Sequence, residues 1–283
     1  MKNIIAFASV FLISLNLFAA DVRVFNTQTA SYMKYDEFIK ELPVQGHIVI
    51  GEFHNNQDIQ DFQAKIIRDK VSLENLAAKF AVHWEFLNYT EQKKVDDEFF
   101  KLFNGEINEL EFITNTAGKQ NLSYAPIAKV VSDLNGEFYG INLPREIKKQ
   151  VMDNGIGSVD QKYIPSHHYV GGALYKERFT KVMGGHASPD MIKKYFLGQC
   201  LTDSVMADQI AKNEHLFLNF TIAGSFHTDF FDGTVVRLKS LTTEPVTTLK
   251  VVSEANSTLS DINYYLSSTA EYGYHSDYII ITN

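Results

Sequence analysis

The chain of 283 residues is 45% hydrophobic and 21% charged, the balance of an ordinary globular protein long enough for one large domain or one domain carrying an insertion. Its formal net charge is −8 and no lysine- or arginine-rich cluster interrupts it. That argues against a nucleic-acid-binding protein, which needs basic surface to meet phosphates.

The first twenty residues, MKNIIAFASVFLISLNLFAA, combine a positive charge at Lys2, an apolar run and the small pair Ala19-Ala20. This is the pattern of a secretory signal cleaved after Ala19 or Ala20. The run is short and contains Ser9, Ser14 and Asn16, so a retained transmembrane helix is not expected. Cys200 is the only cysteine, which leaves no internal disulfide and no residue to acylate at the cleavage point. The expectation is a periplasmic or secreted protein, residues 21–283 forming a single domain held by its core.

From residue 47 onward, strand-like and helix-like segments alternate. HIVIGEFH (47–54) is a β-branched run that breaks into Gly51, Glu52 and His54. NNQDIQDFQAKIIRDKV (55–71) then places Ile59, Phe62, Ile66 and Ile67 on one helical face, with Asn55, Asn56 and Asp58 able to cap its start. FAVHWEF (80–86) is an apolar run ending at Glu85, and FYGIN (138–142) breaks at Leu143-Pro144, where proline cannot donate to a ladder. A helix is expected from Arg145 to a stop at Gly155. A further helix over 201–215 leads into the β-type run 216–227, stopped by Gly224 with His227 and Asp229 beyond. TTLKVVSE (247–254) and DYIIITN (277–283) are the last strands, and 253–276 reads as a long surface connection whose tyrosines pack on something.

This alternation predicts an α/β fold: a mostly parallel central sheet flanked by helices. Segments 88–127 and 157–200 do not fit the alternation and are expected to form a smaller inserted helical lobe or lobes.

Ligands of parallel sheets bind at the carboxyl ends of the strands. Four predicted strands end there in polar groups: Glu52 with His54, Glu85, Asn142 with Arg145, and His227 with Asp229. Two chemistries need such a set. A histidine could act as general base, oriented by a glutamate, while Asn142 and Arg145 hold an anionic substrate. Alternatively, His54, Glu85 and His227 could hold a divalent metal that activates water. No compact metal motif such as H-E-x-x-H is present, so the metal reading rests on fold geometry alone.

A second group lies in 161–186, where Tyr163, His167, His168, Tyr169, Tyr175 and His186 sit among small and apolar residues. Tyrosine and histidine both ligate haem iron, and aromatic walls suit a flat apolar cofactor. Composition alone favours the alternative, an aromatic-rich helical lobe with solvated histidines.

Taken together, GEFHNN, VHWEF, GINLPREIKKQVMDNG, FLGQCLTDSVMADQIA and IAGSFHTDFFDGTVVRL resemble, in order, the blocks of the ChaN-like haem-binding proteins, a branch of the haem-uptake and Tiki superfamily. The matching positions are Gly51, Glu52 and His54; Glu85; Asn142, Pro144, Arg145 and Glu146; Gln199, Asp203, Met206 and Ala207; and Gly224 with His227, spanning roughly 50–240. The resemblance implies an α/β sheet with a smaller helical lobe. It also implies an exported haem-binding protein of iron acquisition, with a tyrosine on the iron and haem held between two protomers. The haem tyrosine falls where these blocks do not reach; Tyr169, Tyr175 and Tyr195 are candidates, with His168 beside them. Related branches, metal-dependent proteases and erythromycin esterases, use the same strand-end Glu and His positions for hydrolysis, so a hydrolase is the alternative function. Family members are often lipoproteins, and this chain lacks the cysteine that such an anchor needs.

Overall fold

The computed structural model describes residues 22–213 and 217–282; the signal segment expected over residues 1–20 lies outside them. The described chain opens with a short hairpin, β1 (Arg23–Asn26) and β2 (Ser31–Met33), and a helix, α1 (Tyr35–Glu41). The sequence pattern announces none of these, because the two strands are brief and largely uncovered, with no apolar alternation to mark them.

Beyond them the expected alternation holds. β3 (Gly46–Glu52) leads through α2 (Gln57–Leu73) to β4 (Phe80–Asn88), and α3 (Gln92–Phe103), α4 (Glu109–Thr116) and α5 (Ala125–Asp133) lead to β5 (Glu137–Asn142). α6 (Arg145–Asn154), α7 (Ala173–Met183) and the long α8 (Pro189–Lys212) precede β6 (Leu218–Gly224). The remaining elements are α9 (Ser225–Thr228), α10 (Thr234–Leu241), β7 (Val246–Ser253), α11 (Leu259–Leu266) and β8 (Tyr278–Thr282).

The strands form one sheet in the order β2-β1-β8-β7-β3-β6-β4-β5. All neighbours from β8 to β5 pair parallel, and only the β1–β2 hairpin and its junction with β8 are antiparallel. Every residue of β3 and of β6 is buried, as expected where helices cover both faces of a parallel sheet. The expected α/β class with a mostly parallel sheet is what the chain adopts.

Local chemistry sets the ends of the helices. Asn56 caps α2, its side chain accepting from the Ile59 N–H, and Ile59, Phe62, Ile66 and Ile67 bury the predicted face. α6 stops at Gly155, whose φ of 80° is a conformation glycine adopts without steric cost. α8 begins at Pro189, capped by Ser188, well before the helix start expected at 201.

One face of the sheet packs Ile48, Ile50, Val82, Trp84 and Phe220 against α2 and the α3–α5 segment in the main core. Residues of 88–127 therefore share that core through Val95, Leu102, Phe112 and Ile113. On the other face Val49 and Ala223 meet Met206, Ala207 and Ile210 of α8 and Val235 and Leu238 of α10. Segment 157–200 has a small core of its own, in which Tyr175 and Phe179 of α7 meet Ile192, Phe196 and Cys200 of α8, with Phe226 packed against it. Among the described residues no helix is long and apolar enough to cross a membrane.

Candidate functional site: the strand-end crevice and the lobe beside it

Strand register assembles the site. β3 and β6 run parallel with Glu52 opposite Gly224, so the end of one strand faces the end of the other. The register of β4 becomes irregular after Trp84, and Glu85 receives the Gly224 N–H at 2.6 Å. A Cβ on Gly224 would lie 2.7 Å from the His54 ring; only glycine lets the imidazole approach the backbone this closely.

Glu52 is buried and holds His54, whose Nδ1 lies 3.0 Å from Oε1. The other carboxylate oxygen accepts from Gln60 and Gln63, each at 2.8 Å, and the Tyr124 hydroxyl donates to Oε1. Burial alone would lower the pKa of His54; the hydrogen bond to Glu52 and the nearby charge of Glu85 outweigh it, and the net direction is upward.

His227 is held from both sides. Its Nε2 lies 3.2 Å from Glu85 and its Nδ1 2.6 Å from Asp203 and 3.0 Å from the Gln199 amide, so both ring nitrogens face carboxylates, which favours the charged ring. Burial opposes charging both His227 and Glu85, yet their mutual attraction, joined by Asp203, drives the histidine up and the glutamate down. Asp203 also accepts from the Tyr175 hydroxyl at 2.7 Å and from Thr234 at 3.3 Å, and Arg237 lies 3.8 Å away. Nearby, Asp229 binds Lys250 at 3.0 Å and His275 at 3.2 Å.

Glu52, His54, His227, Asp229 and His275 border a cavity of about 410 Å³, within the usual range of small-molecule sites. Its walls include Phe53, Phe226, Phe230, Tyr264 and Tyr265, and Arg178 reaches it from α7. A larger groove of about 750 Å³ between α2, α4 and α5 is bordered by solvated charges such as Asp61, Lys65 and Arg68, and no strand end opens into it.

The strand ends thus bring Glu52, His54, Glu85, His227 and Asp229 together. They do not make a metal centre of His54, Glu85 and His227: among the described residues no group of three or more such side chains is arranged to hold a metal ion. Both nitrogens of His227 are already engaged by carboxylates. Arg145, expected to hold an anion, stands exposed at the start of α6 and does not border the crevice. Asn142 instead braces the site from behind, donating to the Glu85 main-chain carbonyl at 2.7 Å.

The lobe tyrosines are placed very differently from one another. Tyr175 is fully buried with its hydroxyl given to Asp203, and Tyr195 is half-buried against the lobe core. Tyr169 is 45% exposed, and its ring lies 5.1 Å from the buried Arg237 guanidinium. Arg237 is anchored to the Tyr169 carbonyl at 2.7 Å and to Ser204 at 3.1 Å. His168 is bound to the same Ser204 hydroxyl at 3.2 Å; burial and the Arg237 charge lower its pKa.

Several participants escaped sequence reasoning. Gln60, Gln63 and Tyr124 support Glu52, and nothing in their local pattern distinguishes them from helix and core residues. The 253–276 segment, expected as a surface connection, folds as α11 and a turn that supply Tyr264, Tyr265 and His275 to the crevice; its cluster of aromatics was the available signal.

As chemistry, the Glu52–His54 pair is an imidazole oriented by a buried carboxylate, the arrangement of a general base. His227 is instead a fixed positive charge.

Residues 38–238 match the family described as haem-binding uptake, Tiki superfamily, ChaN. No curated protein matches the chain by sequence. Among solved structures, ChaN of Campylobacter jejuni, described as cofacial heme binding, is similar with a TM-score of 0.70 and 20% identity, over 93% of this chain and 97% of that one. The type III effector HopBA1 gives a TM-score of 0.41 at 12% identity over 84% and 87% of the two chains. An erythromycin esterase EreC mutant in its open conformation gives 0.44 at 13% over 82% and 77%.

Proposed function

The chain belongs to the haem-binding uptake family of the Tiki superfamily that includes ChaN, and on that basis we propose that it binds haem through Tyr169 on the outer face of the lobe. The observation that carries this reading is the contrast among the lobe tyrosines. Tyr175 is buried and committed to Asp203, Tyr195 is half-buried against the lobe core, and Tyr169 is exposed while its ring and backbone are held by Arg237. Among the described residues the Tyr169 hydroxyl has no hydrogen-bond partner.

Haem would supply an iron that a phenolate can ligate and a flat apolar face. Tyr169 would hold the iron, and the exposed Val170 and Leu174 beside it would meet the porphyrin. His168 is held through Nδ1 by Ser204, the hydroxyl that also accepts the Tyr169 N–H. A haem on so open a surface needs a second cover, and a second copy of the chain presenting the same patch supplies one. The cofacial heme binding described for the Campylobacter jejuni protein supports that arrangement.

The role that follows is haem handling in iron acquisition outside the cytoplasm, after cleavage at Ala19 or Ala20. Haemin titration of residues 21–283 should give a saturable Soret band of tyrosinate type, lost in Tyr169→Phe and kept in Tyr175→Phe. Light scattering should show dimers only with haemin. A strain lacking the protein should grow poorly with haem as sole iron source, and N-terminal sequencing of the exported protein should start at residue 20 or 21.

One observation favours a second reading, a hydrolase: the Glu52–His54 pair at the crevice. It requires an ester or peptide hydrolysis that His54→Ala abolishes, and silence of the wild type across such substrates removes it.

A further inference from the structure

Arg178 is 8% exposed. The buried cations elsewhere in the described chain have acids: Lys70 has Glu74 at 2.7 Å, Lys250 has Asp229 at 3.0 Å, and Arg237 has Asp203 at 3.8 Å. Among the described residues Arg178 has no carboxylate within ion-pair distance, and its Nη2 is buried without a hydrogen-bond partner. Asp229, the acid sharing its cavity, is already taken by Lys250 and His275.

Three rings surround the guanidinium instead, those of Phe226 at 4.9 Å, Phe230 at 5.0 Å and Tyr175 at 5.2 Å. Cation–π contacts return only about 0.5–2 kcal/mol each, whereas a buried charge left unpaired costs several kcal/mol. The arrangement is built to receive an anion.

The backbone around it points the same way. Phe230 and Phe231 are consecutive non-glycine residues in the left-handed region, with φ of 63° and 58°, a conformation that costs roughly 1–2 kcal/mol per residue. The Phe230 N–H is fastened to the His275 carbonyl at 2.8 Å, and the ring lies tilted with its centroid 4.1 Å from that of the His275 imidazole. Strain of this kind persists where surrounding structure fixes a side chain for use.

We propose that the strand-end crevice is a carboxylate-binding site, in which Arg178 takes the carboxylate of a ligand whose flat apolar body lies among Phe53, Phe226, Phe230 and Tyr265. The planar guanidinium matches a carboxylate in a two-point hydrogen bond. A single negative charge suits the site better than a phosphate dianion, because the carboxylates of Glu52 and Asp229 border the same space. The same chemistry has two sources, a free aromatic acid or a propionate of haem itself.

The test is calorimetric titration of the mature chain with 2-naphthoate and with its uncharged methyl ester. The wild type should bind the acid saturably and not the ester, and Arg178→Gln should weaken the acid about tenfold or more. Arg178→Lys, which keeps the charge but loses the fork, should also weaken it and serves if the glutamine variant does not fold. Haemin and haemin dimethyl ester, titrated in parallel, separate the sources. If Arg178→Gln leaves haemin binding unchanged, the ligand is a separate acid. If it weakens haemin, and the dimethyl ester binds the wild type equally weakly, the carboxylate is a haem propionate. The proposal is overturned if the Arg178 variants alter neither titration, or if the wild type takes acid and ester alike. A wild type that binds 2-naphthoate but no haemin defeats the haem reading and leaves this one standing.

Discussion

Replacing His227 by Gln removes the one cation between two buried carboxylates. Glu85 lies 3.2 Å from one ring nitrogen and Asp203 2.6 Å from the other. At an effective dielectric near 20, each contact is worth about 5–6 kcal/mol of direct attraction, and desolvation offsets much of it. The net cost of breaking a buried pair is about 3–5 kcal/mol. Arg237, 3.8 Å from Asp203, and the Gly224 N–H on Glu85 soften the loss, which puts it near the lower bound. In a domain of this size that is a fall of roughly 6–12 °C in Tm.

The dependence on pH is the sharper signature. The pKa of His227 is raised from 6.5 to about 10, so its contribution is complete below pH 6.5 and is lost as pH climbs to about 10. Glu85 is lowered from 4.5 to about 2, so its contribution is complete above pH 4.5 and is lost as pH falls to about 2. The gap in Tm between wild type and His227→Gln should therefore be widest from about pH 4.5 to 6.5 and close on either side. Calorimetric scans from pH 3 to 10 measure it. A gap under about 3 °C, or one that does not change with pH, refutes the assignment of His227 as a locked cation.

Two further perturbations probe the neighbouring pair. Glu52→Gln removes the charge that holds the proton on His54, so burial prevails and the ring should titrate at lower pH than in the wild type; NMR titration of its imidazole signals shows the direction, and an upward shift contradicts it. Gly224→Ala places a methyl group 2.7 Å from the His54 ring, which should displace that ring and cost about 1–3 kcal/mol; urea unfolding with the same NMR titration reads both effects, and an unperturbed His54 would show that the close approach is not tight.

The parallel sheet was legible because β3, β4 and β6 are buried and so are written as mainly apolar, β-branched and aromatic runs, interrupted only by buried polar residues such as His83 and Asn219, that stop at polar residues. Glu52, His54, Glu85 and His227 could be placed at one edge for the same reason, since each is the first chemistry after such a run. The metal trio of His54, Glu85 and His227 failed because Asp203, on α8, takes the second nitrogen of His227, and a helix partner of a strand-end histidine has no spacing to betray it. Arg145 was singled out because it adjoins a strand end in sequence, whereas Arg178, which no local pattern marks, reaches the crevice from a separate lobe whose packing only the fold determines. The tyrosines of 253–276 signalled packing, but the polar Ser, Thr and Asn residues around Tyr264 and Tyr265 mask the short helix that carries them to the site.

The central claim is that this chain holds haem iron through the exposed tyrosine on the lobe. It is tested most directly by titrating haemin into wild type, Tyr169→Phe, Tyr175→Phe and Tyr195→Phe forms of residues 21–283 and following the Soret and charge-transfer bands. The account predicts saturable tyrosinate-type spectra for all but Tyr169→Phe. A wild type with no saturable band, or a Tyr169→Phe protein with an unaltered one, would contradict it.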